Sequence, residues 1–446
     1  MSVENIASLV QTSSLRLIRF LYCDTSSIIR GKTTHVDKLL DRIDSGIGLV
    51  KGMMAMNLLD QMQTDTGFGA TGEVRLVPDP DTFTVLPYAH QSALMLCDLM
   101  QLDHQPWTLC PRSILKNQIK KAADIGIEIQ AAFEPEFMLG SLNEDGEFLP
   151  IDESLCFSTE GMNRGSDFIN RFVNALERQH LQVEQYYPEL GHGQHELSIS
   201  HAPALQAADS QILYRETLRG VSIENGMVAS LAPKPFADQA GNGCHLHLSA
   251  WDVNSKKNLF YADDGLSWLG KNFVAGILKH LPAIVAVTCP SVNSYRRLKP
   301  RSWSSAYTCW GYENREAAVR VPTTYWNQEE QSTNIEIKCV DSSCNPYLAL
   351  AVIIAAGVDG VKRKLNPPDP ISVDPSSLNS EEAAKAGVER LPSSLKEALK
   401  RLLHDVLIME TLGELATTFI TVKTSESVAF GKATVEYELK HHRTKF

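Results

Sequence analysis

The chain's 446 residues suit one large domain or two to three ordinary ones, and an apolar fraction of 43% supplies a sizeable core. With 42 basic against 53 acidic residues the net charge is −11, which argues against a nucleic-acid partner and leaves a local basic pocket as the place for anions. The longest apolar run, Leu348–Val358, is too short to span a bilayer, and the N-terminal stretch lacks the positive start and unbroken apolar segment of a secretory signal.

In chain order, Leu15–Tyr22 and Thr82–Leu86 are expected strands, with a Pro/Asp turn at Val77–Asp81. A domain boundary is expected near Trp107–Pro111. Beyond it, Ser113–Gly126 has helical periodicity that turns Ile114, Ile119 and Ala122 to a core, and a second helix is expected over Asp167–His180. Asn366–Ala386, rich in Pro, Ser, Asp and Glu, is expected as a surface excursion before a helix over Leu395–Leu415. This order predicts a small N-terminal β-rich domain and a large α+β domain. Nine cysteines, scattered singly with no CxxC pair, fit reduced thiols in a cytoplasm, each by default a small buried hydrophobe.

Four segments share one pattern. In AAFEPEFM, strand alternation points Glu134 and Glu136 one way and Phe133 and Phe137 the other. In ELSIS, Glu196, Ser198 and Ser200 oppose Leu197 and Ile199. In CHLHLS, His245, His247 and Ser249 oppose Leu246 and Leu248. In NIEIK, Glu336 and Lys338 oppose Ile335 and Ile337. Polar faces of this kind are ordinarily just wet, but these carry Glu and His instead of Thr, Lys and Ser. Carboxylates packed side by side raise one another's pKa unless cations separate them. Glu oxygens with imidazole suit Mg²⁺ or Mn²⁺, and the lack of paired thiolates argues against a structural zinc. If the strands are neighbours, Glu134, Glu136, Glu196, His245 and Glu336 are candidate metal ligands. Gly191–Glu196 is a tight turn feeding a strand, and Gly241-Asn242-Gly243 lets a ligand approach the backbone. Arg296, Arg297 and Lys299 cluster, as do Arg315 and Arg320; they are donor forks for carboxylates and phosphates, or surface ion pairs.

The blocks FEPEF, PELGHGQHE, GNGCHLHLS, NSYRRL, NREAAVRVP and NIEIK…NPYLAL stand in the order and spacing of the glutamine synthetase family, which the chain resembles over nearly its whole length. CPRSIL resembles the start of that family's catalytic domain. The resemblance implies an α+β fold: an N-terminal β-grasp domain over residues 1–106 and a catalytic domain with a curved antiparallel sheet over residues 107–446. It implies a homo-oligomer, a dodecamer of two hexameric rings with each active site between neighbours. It implies two divalent metals, Mg²⁺ or Mn²⁺, one held by Glu136, Glu189 and Glu196 and the other by Glu134, His245 and Glu336. Glu184, His247, Ser249, Arg315 and Arg320 would lie around ATP, the co-substrate. Arg297 and the Gly241 backbone would bind glutamate, with Lys338 replacing the family's usual Arg near the γ-carboxylate. The implied chemistry transfers the ATP γ-phosphoryl to that carboxylate, and an amine or ammonia then displaces phosphate.

Departures from the family pattern bear on the second substrate. Where ammonia-using members carry a Gly-Tyr-Glu-Ala-Pro-like flap, this chain reads KPRSWSS, so Trp303 stands at the position of the Glu that helps deprotonate ammonium. The Asp-Gly-Ser-Ser segment is missing too; the nearest stretch is Met54–Gln63, with Asp60 as a displaced substitute. Losing both anionic groups weakens attraction for a small cation, while an indole and a Met-rich stretch suit an apolar amine. RSWSSAYTCWGYENRE is similar to a divergent subgroup that includes ligases forming γ-glutamyl amides. The expected activity is therefore ATP-dependent joining of glutamate to a primary organic amine, with Arg297, Arg315 and Trp303 at the reacting centre. Glutamine synthesis with a substitute base is the second reading, and a packed core tryptophan is the alternative for Trp303. A silent homologue is the third reading, against which the complete ligand set argues.

Overall fold

The computed structural model describes residues 3–446. The N-terminal part is built on β1 (Leu17–Cys23), β2 (Ile29–His35), β3 (Ile47–Val50), β4 (Glu73–Pro78), β5 (Thr84–Val85) and β6 (Ser92–Met100). They form one sheet in the order β2-β1-β6-β4-β3, with β5 on β6. β1 and β2 are an antiparallel pair, whereas β1 and β6 run parallel, and β6 is buried along most of its length. This is the expected β-rich unit. The Thr82–Leu86 strand shrinks to two residues because Pro80–Thr82 forms a 3₁₀ turn, capped where the Asp79 carboxylate accepts the Asp81 N–H at 3.1 Å. A helix over Val3–Thr12, not expected, precedes β1 and buries Ile6.

The second sheet contains β7 (Ile127–Leu142), β8 (Phe148–Pro150), β9 (Val183–Pro188), β10 (Gln194–Ile199), β11 (Ala202–Pro203), β12 (Val228–Ser230) and β13 (Cys244–Asp252). After a small hairpin of β14 (Tyr261–Ala262) and β15 (Gly265–Leu266), it is completed by β16 (Trp310–Tyr312), β17 (Val319–Val321) and β18 (Ile335–Ile337). The path is β16-β17-β18-β13-β7-β10-β9, and β8, β11 and β12 add to β7. The long β7 thus changes partners along both edges, and the sheet is curved and nearly closed. The α+β class and the family's curved catalytic sheet are as expected.

Helices cover the apolar face. Pro346–Arg363 holds the longest apolar run and is buried on nearly all sides; it is a core helix. Its start is fixed by Pro346 and by the Asn345 side chain, which accepts the Tyr347 and Leu348 N–H groups. The expected Ser113–Gly126 helix runs from Pro111 to Ala123, since Pro is favoured at the first helical position. The Asp167–His180 helix starts earlier, at Thr159, under a Ser158 cap; Gly161 and Gly165 hide its first turns from propensity. Leu395–Leu415 is not one helix: it breaks between Leu395–His404 and Val406–Leu412 at Asp405, which is extended and caps the second segment through Ile408 N–H. Asn366–Ala386 is largely exposed, yet Ile371 packs with Cys309, Ala317 and Val388 in a small second core. All nine cysteines are free thiols, eight of them buried. Among the described residues no helix is long and apolar enough to cross a membrane.

Candidate active site

Strand register brings the four polar faces together. Glu196 on β10 lies directly opposite Glu136 on β7. One pair along, Glu134 on β7 opposes His245 on β13. Next, His247 on β13 opposes Glu336 on β18, and Glu336 opposes Arg320 on β17. Alternation then places these side chains on one face, with Phe133, Leu246 and Ile335 buried beneath.

The first half of the site is a set of carboxylates. Glu189 follows β9 in the hairpin to β10, its N–H donating to the Gln194 carbonyl at 2.7 Å. Burial raises the pKa of Glu136 to about 7, with Glu189 adding to the rise against the pull of Arg297. Burial, with Glu134 and Glu136 beside it, pushes Glu196 well above the usual range, and burial also raises Glu189. The Tyr187 hydroxyl donates to Glu196. Glu136 accepts from the Gln194 amide at 2.8 Å and the Gly243 N–H at 3.0 Å. Gln194 also donates to Gly241 O and Asn242 Oδ1, both at 3.0 Å, so one amide ties β10 to the glycine loop.

The second half is an ionic cluster. Ligand atoms of Glu134, His247 and Glu336 lie within 4.8 Å of one another. His247 Nε2 is 3.1 Å from Glu134, and its Nδ1 is 2.8 Å from Asn334 Oδ1. Burial opposes protonation of His247, but Glu134 outweighs it and raises the pKa to about 9. His245 Nδ1 lies 3.3 Å from Glu336, while its Nε2 faces Arg297 Nη2 at 3.1 Å. Burial and the adjacent Lys338 hold the His245 pKa well below normal. Glu336 contacts Arg320 at 2.5 Å and Lys338 at 3.3 Å. Burial resists its ionisation, yet Lys338, His245, His247 and Arg320 together hold its pKa far below the carboxylate range.

These residues fit a hard divalent cation. The donors are carboxylate oxygens and imidazole, and His247 Nε2 and Glu336 Oε2 are buried without a hydrogen bond of good geometry. The compact group holds His247 beside Glu134 and Glu336, while His245, the expected ligand, also meets Glu336, through Nδ1 at 3.3 Å. Both histidines share a β13 face, but His247 is the one in register with Glu336.

The remaining candidates are dispersed. Arg297 is buried and donates to the Lys338 carbonyl and the Val340 carbonyl, each at 3.3 Å. Ser249 accepts from the Trp251 indole at 2.8 Å, and exposed Glu184 accepts from Ser200 near the start of β9. Trp303 is not a core residue: it is 62% exposed, with φ 52°, its N–H donating to Glu316 at 2.8 Å. The Arg315 guanidinium stands over its ring at 5.8 Å. Asp60 is exposed and pairs with Arg30 at 2.8 Å. Sequence reasoning missed Tyr187, Gln194, Asn242 and Asn334. Gln194 lies inside the PELGHGQHE block, but its role depends on a loop 47 residues away.

The family model for the glutamine synthetase catalytic domain matches residues 108–442, and that for the glutamine synthetase N-terminal domain matches residues 2–107. A γ-glutamylpolyamine synthetase of Streptomyces coelicolor is 36% identical over 411 residues, covering 91% of this chain and 88% of the relative. Type-1 glutamine synthetase 1 of Dictyostelium discoideum is 33% identical over 439 residues, covering 93% and 86%. Among solved structures, a GmaS complex with ADP superposes with a TM-score of 0.85 at 27% identity, covering 97% of this chain and 98% of that one. The fold and the carboxylate-rich sheet face are those of an ATP-dependent ligase that forms carbon–nitrogen bonds. The chain belongs to the glutamine synthetase family.

Proposed function

We propose that the protein activates the γ-carboxylate of glutamate with ATP and joins it to a primary organic amine, giving a γ-glutamylamide, ADP and phosphate. The observation that carries this reading is Trp303: at the flap position the chain presents an exposed indole braced by Arg315, not a carboxylate. A tryptophan there offers an apolar surface to an amine's carbon stem and no negative charge to ammonium. The S. coelicolor and GmaS similarities support it.

In this reading Glu136, Glu189 and Glu196 hold one divalent metal, and Glu134, Glu336 and a β13 histidine hold another. Bound there, the metals would neutralise charge on the transferring phosphoryl group. Arg315 and Arg320 would bind ATP oxygens, with His247, Ser249 and Glu184 at the nucleotide. Arg297 and Gly241 would orient glutamate, and Lys338 would meet its γ-carboxylate as a point charge, without the fork of Arg. Assembly as a ring dodecamer in the cytoplasm belongs to the same proposal.

Glutamine synthesis is the second reading, and Glu316 favours it. This carboxylate is buried behind Trp303, and its Oε2 has no hydrogen-bond partner, so it is a candidate substitute base. Phosphate release with ATP, Mg²⁺, glutamate and a panel of amines decides between them. An alkyl or polyamine should outperform ammonia, and Trp303→Glu should move the preference towards ammonia. Ammonia outperforming every amine would overturn the proposal.

A further inference from the structure

One buried carboxylate on the C-terminal helix Val435–Lys445 meets the segment carrying Arg297 directly and, through Asn293, is linked to the loop carrying Gly241. Glu438, 5% exposed, takes the Arg296 guanidinium in a two-pronged pair, Nε to Oε1 and Nη2 to Oε2, each 2.7 Å. Arg296 adjoins Arg297 in the short helix Ser294–Arg297. Glu438 Oε1 also accepts from the Asn293 amide at 3.2 Å. Asn293, fully buried, clamps the Lys234 backbone from both sides: it accepts the Lys234 N–H at 2.6 Å and donates to the Lys234 carbonyl at 3.0 Å.

Lys234 opens the loop that ends at Gly241. The loop is closed on itself by Asn242 N–H donating to Pro233 O at 2.9 Å and by the Lys234 ammonium donating to Gln239 O. A β-carbon at Gly241 would meet Pro233 O at 2.5 Å and Arg297 Cγ at 3.0 Å, so the two elements approach closely there. Elsewhere loop and helix are separated by a cavity of about 390 Å³ lined by Pro235–Asp238 and by Val435, Leu439 and Arg443. Arg443 stands over the Phe236 ring at 4.8 Å across that gap, and the polar ties through Glu438 join the C-terminal helix to the Asn293–Arg297 segment.

We infer that Glu438 is a positioning residue for glutamate: through Arg296 and Asn293 it sets the spacing between Arg297 and the Gly241 backbone. This rests on the proposal that those two groups bind glutamate. A small displacement of a substrate clamp weakens binding without touching the nucleotide side.

The test is steady-state phosphate release by the full-length protein with its best amine. Glu438→Gln keeps the length and the acceptor for Asn293 but loses the ionic fork. It should raise the KM for glutamate roughly tenfold and leave the KM for ATP and the melting temperature near wild type. Arg296→Met should do the same, and the double variant should add little. Unchanged glutamate KM in both single variants, or parallel loss of glutamate and ATP affinity with a lowered melting temperature, would overturn the inference alone. A wild type without glutamate-dependent phosphate release would overturn it together with the proposed function.

Discussion

A methyl group on Gly243 would sit 2.8 Å from His245 Nε2, 2.8 Å from Arg297 Nη2 and 2.9 Å from Glu136 Oε1. These are ends of side chains that are held by hydrogen bonds or ion pairs, so they give way only at some cost, while the Gly243 backbone is not in the left-handed region. Gly243→Ala is therefore expected to displace three site groups at a modest cost in stability. Activity should fall roughly 10- to 100-fold with only a modestly lowered thermal melt; phosphate release and calorimetry on the same preparation check it. At this scale the sequence was informative about residue type. Alternation marked Glu134, Glu136, Glu196, His245, His247 and Glu336 as one-faced. It could not separate His245 from His247, because both obey the same period and only the β13–β18 register distinguishes them.

At the scale of elements, the C-terminal helix carries a pH dependence. His442 is 1% exposed, its ring 4.6 Å from that of Phe430, and its Nδ1 lies 2.8 Å from the Glu438 carbonyl. Burial lowers its pKa, against the attraction of Glu438 and Glu426 and with help from Lys423. The unfolded chain takes up this proton near pH 6.5, whereas the folded chain takes it up only at lower pH. Between those values the unfolded state binds more protons, so stability falls as pH drops below about 6.5. Urea midpoints at pH 7.5 and 5 should differ less for His442→Gln than for wild type, since Gln keeps the donor and loses the charge. Helix ends were the least legible feature. Periodicity ran through Asp405, where the side chain's preference for capping Ile408 and facing His280 at 2.7 Å breaks the helix.

For the whole molecule, the N-terminal sheet is fastened to the catalytic part by buried charge. Arg112, 3% exposed, reaches Asp79 at 2.8 Å and Asp98 at 3.3 Å near β4 and β6, and Asp209 at 2.9 Å on the helix Ala204–Glu224. Tyr347 donates to the same Asp209 at 2.7 Å. Arg112→Ala would strand Asp209, which burial already pushes upward in pKa. The expected loss is about 3–5 kcal/mol, read from denaturant unfolding. Arg112→Lys should lose less, since it keeps the charge without the fork. A second tie runs through buried Glu426, which accepts Ser26 Oγ and Leu58 N–H at 2.8 Å and pairs with Lys423 at 2.9 Å. Neither tie has a signature in composition, because each joins residues far apart in the chain.

By itself the sequence determined the fold class, the presence of a one-faced carboxylate and imidazole set, and, through ordered motifs, the family. Each of these is written in short-range periodicity or in local blocks, which a linear reading can see. Tertiary structure alone decided that both β13 histidines come up to Glu336, that Trp303 stands outside the core, and that Glu438 is linked through Asn293 to the loop carrying Gly241. Those facts arise from strand register and from loop closure across up to 204 positions, the separation between Glu438 and Lys234, which Asn293 bridges. Such contacts depend on how the whole chain packs, and no local pattern encodes them.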